Sequence, residues 1–241
     1  MFHPGAMRAV QNREDISPYL VHLTRENTNH FPRTGKDAGK TFDDIWNQKV
    51  IRARRVLCMH REEIRQERSE IQAKFKVACF TATPLSQLRH FVSVYRRDYR
   101  FEAYGFIFKR ETLLMKGAGP AQYINQYGTM SLRPWAERLY EMAKKTNFTG
   151  LLWMGIPFMN SVHSGHDFEW EREWKVRGDV SFSYRELAGV ILPERIANKM
   201  WYRALDNGVP VISAHWDADR IEETLATRPQ VKPKLKFAKV G

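Results

Sequence analysis

The chain has 241 residues, 43% apolar and 12% aromatic, enough to bury one sizeable core, which excludes a disordered protein. No run approaches the ~20 apolar residues of a membrane span; the longest, Leu151 to Met159, contains Gly155 and Pro157. The net charge of +12 suits nucleic acid or another polyanion as partner, or a generally basic soluble protein.

Two cysteines, Cys58 and Cys79, with no C-x-x-C, argue for a reducing cytoplasm and against a disulfide framework or a cysteine zinc site. Met1 to Asp15 offers no apolar stretch for a signal peptide. Residues 1–17 read as a loose arm. Pro18 to Arg25 reads as the first strand, with Leu20, His22 and Thr24 on one face. Residues 26–40, with Pro32, Gly35 and Gly39, read as a loop. Thr41 is a candidate N-cap for a helix over Phe42–Val50, with Asp43 and Asp44 in its first turn. Leu57, Ile64 and Ile71 recur at seven-residue intervals among charged residues, which predicts one long amphipathic helix over 56–73.

Phe75 to Thr81 reads as a strand running into a turn at Pro84 and a helix over Leu85–Val94. Tyr104–Lys109 is a third strand, 111–116 a short helix ended by Gly117, and Ala121–Asn125 another strand. Leu132–Thr146 reads as a helix whose buried stripe is Leu132, Trp135, Leu139 and Met142; Leu151–Met154 is a candidate strand. Phe168 to Val176 shows strict alternation, with Phe168, Trp170, Arg172 and Trp174 on one face and Glu169, Glu171, Glu173 and Lys175 on the other. Either a solvated strand face or a binding cleft can carry that row of carboxylates. His163–Asp167 reads as a loop at a cleft mouth. The tail alternates strand 189–193, helix 194–205 closed by Gly208, strand 209–213 and helix 217–226. Residues 229–241 read as a basic tail able to touch phosphates.

Four pieces stand in order: His22-Leu23-Thr24, Cys79-Phe80-Thr81-Ala82-Thr83-Pro84-Leu85, Tyr104-Gly105-Phe106 with Tyr123, and Glu171-Arg172-Glu173-Trp174. Over roughly 19–193 they resemble the AbiGi-type family of abortive phage-resistance proteins, labelled antitoxins. That resemblance implies phage defence and a toxin or antitoxin partner. The same pieces are similar to the NAD-binding cleft of ADP-ribosyltransferases. This second resemblance implies His22 and Thr24 as first-strand binders, and Phe80, Thr81 and Thr83 on the nicotinamide side. It also implies Glu171 and Glu173 as the catalytic pair, with NAD as substrate. Tyr104 and Tyr123 are candidates to stack on nicotinamide, with burial in the core as the competing role. His22 is either a binder or a satisfied strand histidine, and Thr81 and Thr83 either line the site or cap the next helix.

The expected fold is therefore α+β: a split, mostly antiparallel central sheet with surrounding helices, of the ADP-ribosyltransferase kind, with a C-terminal βαβα extension. The expected divisions are 18–193, 194–228 and the tail 229–241. The expected function is NAD-dependent transfer to nucleic acid or protein, or a catalytically silent module binding a partner protein or nucleic acid. No metal and no membrane partner is expected.

Overall fold

The computed structural model describes residues 17–26, 38–93, 100–162, 171–194 and 199–229. In chain order β1 (Tyr19–Glu26) is followed by α1 (Ala38–Gln48), β2 (Val50–Ile51), β3 (Arg55–Val56), α2 (Arg61–Arg65), α3 (Ser69–Lys74) and β4 (Lys76–Thr81). A 3-10 turn (Leu85–Gln87) leads into α4 (Leu88–Ser93), then β5 (Arg100–Lys109), α5 (Arg110–Leu114), β6 (Gly119–Pro120), β7 (Gln122–Asn125) and α6 (Arg133–Lys145). A 3-10 segment (Leu152–Phe158) precedes β8 (Met159–Val162), β9 (Glu173–Arg177), β10 (Val180–Ser181), β11 (Leu187–Ile191), α7 (Lys199–Asp206), β12 (Val211–Ile212) and α8 (Ala218–Ala226).

The main sheet runs β12-β11-β5-β1-β4-β9-β6, with β3 also on β4. It is antiparallel except where β12 joins β11 in parallel, so the βαβα tail extends this sheet rather than forming a separate layer. Two smaller sheets pair β10 with β2 and β7 with β8. The strands are apolar on both sides because helices cover both faces. On one side Leu20, Phe80, Phe106, Phe108 and Val176 pack with Phe42 and Trp46 of α1. On the other, Val21, Leu23, Ile107 and Ile191 pack with Leu88 and Ile221. A third cluster, Val56, Ile64, Ile71, Phe75, Tyr140 and Phe148, joins α2, α3 and α6.

The main sheet is not uniformly zipped. β1 pairs with β5 from Tyr19–Lys109 to Glu26–Arg100, but it meets β4 through the single pair Val21–Thr81. The close approach of β1 and β5 suits Gly105, where a Cβ would stand 3.0 Å from the His22 carbonyl oxygen.

Several expectations are corrected. α1 already includes Ala38, so Thr41 lies inside it and is no N-cap. The single helix over 56–73 is instead β3, α2 and α3. Arg68 is extended (φ −60°, ψ 152°) between the helices, and the Gln72 side-chain amide donates to the Arg65 and Glu67 carbonyls across the break. Ile64 and Ile71 are buried as the seven-residue spacing implied, yet on two separate helices. On α6 the buried residues are Ala136, Tyr140 and Ala143, whereas Trp135 is 51% and Met142 41% exposed. The 151–154 stretch is not a strand: Leu151 precedes, and Leu152–Met154 open, the 3-10 segment that runs to Phe158. The central strand starts only at Glu173; Phe168, Trp170 and the 163–167 loop lie outside the described residues. Arg172 has φ +43°, the left-handed region, which breaks the alternation expected across Glu171–Glu173.

Candidate functional site

The sheet register divides the nine candidate residues. Val21 opposes Thr81 and Thr81 opposes Glu173, so these share one face. His22, Phe80 and Trp174, one position along, take the other face. Phe80 lies edge-on to Phe108 at 5.9 Å, and Tyr104 packs on Phe42 at 6.0 Å, both within the core. The Thr24 hydroxyl lies 3.0 Å from the Ala38 carbonyl oxygen and ties β1 to α1. The His22 Nδ1 lies 2.8 Å from the Cys79 carbonyl oxygen, and its ring centroid is 5.7 Å from that of Phe80. A carbonyl only accepts, so Nδ1 carries the proton, and the imidazole bridges β1 and β4 where the ladder has narrowed. The structure therefore does not gather His22, Thr24, Phe80 and Tyr104 into one crevice with the carboxylates.

Thr81, Thr83, Glu171, Glu173 and Tyr123 do come together. The Thr81 hydroxyl donates to the Glu171 carbonyl oxygen at 2.6 Å and accepts from the Thr83 amide at 3.0 Å. These hydroxyls shape the β4 turn rather than cap α4, whose lead-in at Pro84 has no side-chain cap. The Ala82 amide donates to the Arg172 carbonyl at 3.0 Å, and the Ala121 amide to the Glu173 carbonyl at 2.8 Å. The Glu171–Glu173 segment is thereby pinned between the β4 turn and β6–β7.

Glu173 is oriented by two residues that the sequence reading did not single out. The Asn160 side-chain amide donates to Glu173 Oε2 at 2.7 Å, and the Lys175 ammonium lies 3.6 Å from the same oxygen. Lys175 is 0% exposed and donates to Asn160 Oδ1 at 2.5 Å, to the Pro157 carbonyl at 3.2 Å and to the Leu57 carbonyl. All three of its N–H groups are thus used, which is what a buried ammonium requires. The signal for Lys175 was its place beside Glu173 in the alternating strand. Asn160 gave none, because β8 was not expected.

Tyr123 stands opposite Asn160 in the β7–β8 pair. Burial first, then the charges of Glu173 and Glu171, raise its phenol above the ordinary tyrosine range, against hydrogen bonds to the Glu173 backbone and the Asn160 side chain. It therefore remains a neutral hydroxyl. Among the described residues no group of three or more His, Cys, Asp or Glu could hold a metal, and no helix is long and apolar enough to cross a membrane.

No family model matches the chain, and no curated protein or solved structure shows a significant similarity to it.

Proposed function

We propose that the Glu173 edge is the working end of the chain and that it performs group transfer of the ADP-ribosyltransferase kind, with NAD as donor and nucleic acid or protein as acceptor. One observation supports this reading. The Glu173 carboxylate is fixed by Asn160 and Lys175 beside the Tyr123 phenol and the Thr81–Thr83 turn, with Glu171 two residues away. Breaking the bond between nicotinamide and the ribose carbon leaves positive charge on that carbon. A carboxylate already held in place stabilises the charge without reorganising. A charge-assisted hydrogen bond donated by a ribose hydroxyl to the Glu173 carboxylate is worth roughly 1.5–3 kcal/mol, or ~10–100-fold in rate, so positioning supplies much of the rest. Glu171 is the group to take the proton from the acceptor nucleophile. His22 and Thr24 serve the sheet in this reading and do not hold the adenosine end. The abortive phage-resistance setting, and a toxin or antitoxin partner, rest on the sequence resemblance.

The test is incubation of the full chain with labelled NAD and cellular RNA, DNA or lysate. Label transfer with nicotinamide release, lost in both Glu171→Gln and Glu173→Gln, is the expected result. No transfer and no nicotinamide from the parent chain overturns the reading.

A second reading has its own supporting observation. Lys175 already balances the charge of Glu173, and Asn160 completes the trio without any ligand. On that reading the chain is a catalytically silent binding module. Expression toxicity separates the two: an active transferase poisons its host unless a partner neutralises it, and that toxicity is lost in Glu173→Gln.

A further inference from the structure

The segment between α6 and β8 carries a feature that the Glu173 chemistry does not use. Leu151, Leu152 and Met154 are exposed apolar side chains, Leu151 at 81%, and they flank the half-buried Trp153. Gly150 and Gly155 bracket them, and a Cβ added at either glycine would meet nothing within 4 Å, so the stretch is a protruding tip rather than a groove wall. Gly150 turns the chain at φ +73°, following Asn147 and Phe148 at φ +51° and +54°.

Cations surround this tip. The Arg177 guanidinium lies 4.7 Å from the Trp153 ring centroid and the Lys74 ammonium 5.7 Å from it. Lys74 also donates to the Phe148 carbonyl at 3.2 Å, and Arg68 donates to the Asn147 side chain at 3.4 Å. Neighbouring carboxylates are engaged by other cations, Glu67 by Lys144 at 2.8 Å and Asp179 by Arg52 at 3.2 Å. Lys74 and Arg177 make no ion pair among the described residues. The tip is thus apolar at its point, aromatic at its base and positive around its rim.

We propose that this tip is a membrane-surface contact, in which Leu151, Leu152 and Met154 enter the interface of an anionic bilayer and Lys74, Arg177 and Arg68 meet the headgroups. The charge pattern selects an anionic partner. The exposed leucines select against a nucleic-acid backbone, which gives apolar side chains nothing to bury against. A convex apolar point with an indole at its base fits a fluid interface, where tryptophan sits at headgroup level. This is a surface contact and not a span, and it does not depend on the transfer chemistry.

The full chain is floated with vesicles of phosphatidylglycerol and phosphatidylcholine in equal parts, and with phosphatidylcholine alone. Binding to the anionic vesicles and little to the neutral ones is expected. Leu151→Ser with Leu152→Ser, at exposed positions that leave the fold intact, weakens partitioning about tenfold or more. Lys74→Gln with Arg177→Gln weakens it about fivefold per cation. Arg89→Gln with Lys199→Gln removes the same charge from α4 and α7 and leaves binding close to the parent. The proposal is overturned if the parent fails to float with anionic vesicles, if the leucine variant floats like the parent, or if the control pair loses as much as the rim pair. It is equally overturned if these residues bind single-stranded RNA while vesicles are ignored.

Discussion

Replacing Lys175 by methionine tests the site at its most buried point. Methionine keeps much of the length of the side chain and removes the charge and all three donors. Left behind are the Leu57 and Pro157 carbonyls, Asn160 Oδ1 and a Glu173 carboxylate with its ion pair gone. Removing one partner of a buried pair costs about 3–5 kcal/mol, mostly from the groups left uncompensated. For a chain of this size each kcal/mol lowers the melting temperature by about 2–4 °C, so a fall of roughly 6–20 °C is expected. Chemical unfolding of four proteins completes the cycle: parent, Lys175→Met, Glu173→Gln and the double variant. The double variant should lose less than the sum of the singles, by ~0.5–3 kcal/mol, because the orphaned charge has gone. A Lys175→Met protein within ~1 kcal/mol of the parent refutes the claim that this ammonium holds the carboxylate and the Leu57 and Pro157 backbone together.

Two further outcomes follow from other parts of the core. His60 is 2% exposed, stacks on Tyr140 at 4.6 Å, and its Nε2 has no hydrogen-bond partner among the described residues. Burial holds its pKa below the usual histidine value, although Glu63, Glu137, Glu141 and the Ala136 backbone pull it upward. The unfolded chain therefore takes up the proton first, near pH ~6.5, and the stability this group supplies above that pH is lost as the pH falls through it. The urea midpoint should drop from pH 7.5 to pH 5.5, by less in His60→Phe; equal drops in the two proteins remove His60 as the cause. Gly189 sits where a Cβ would meet the Leu225 side chain at 2.7 Å and the Pro210 carbonyl oxygen at 3.1 Å. Gly189→Ala should cost about 1–3 kcal/mol by thermal melt, and a neutral result means that α8 shifts without penalty.

The strands were legible wherever several apolar or β-branched residues ran together, as in β1, β4, β5 and β11. α8 falls where a helix over 217–226 is expected, and the structure shows the Asp217 carboxylate capping it by accepting from the Arg220 amide at 2.9 Å. What the pattern missed was set by distant partners. The spacing of Leu57 predicts the first turn of a long helix, but its carbonyl is drawn to an ammonium more than a hundred residues away. The apolar stripe of α6 predicts Trp135 and Met142 in the core, yet small Ala136 and Ala143 make the close contact and leave the larger side chains outside. Among the candidate site residues, the carboxylates, the threonine turn and Tyr123 lie together in the structure. The face on which His22 and Thr24 lie was not legible, because it depends on which residue of β1 opposes Thr81, and no single strand encodes its own register.

The narrow junction between β1 and β4 makes the sheet two sub-assemblies rather than one. β12, β11, β5 and β1 form one panel, and β3, β4, β9 and β6 form the other. A single backbone rung and the His22 imidazole join their ladders across that line, and core side chains such as Phe80 and Phe108 pack over it. Amide deuterium uptake should therefore be fastest where the panels abut, and slowest deep inside each. Pulled apart, the sheet should yield first along this line, where the backbone ladder is a single rung.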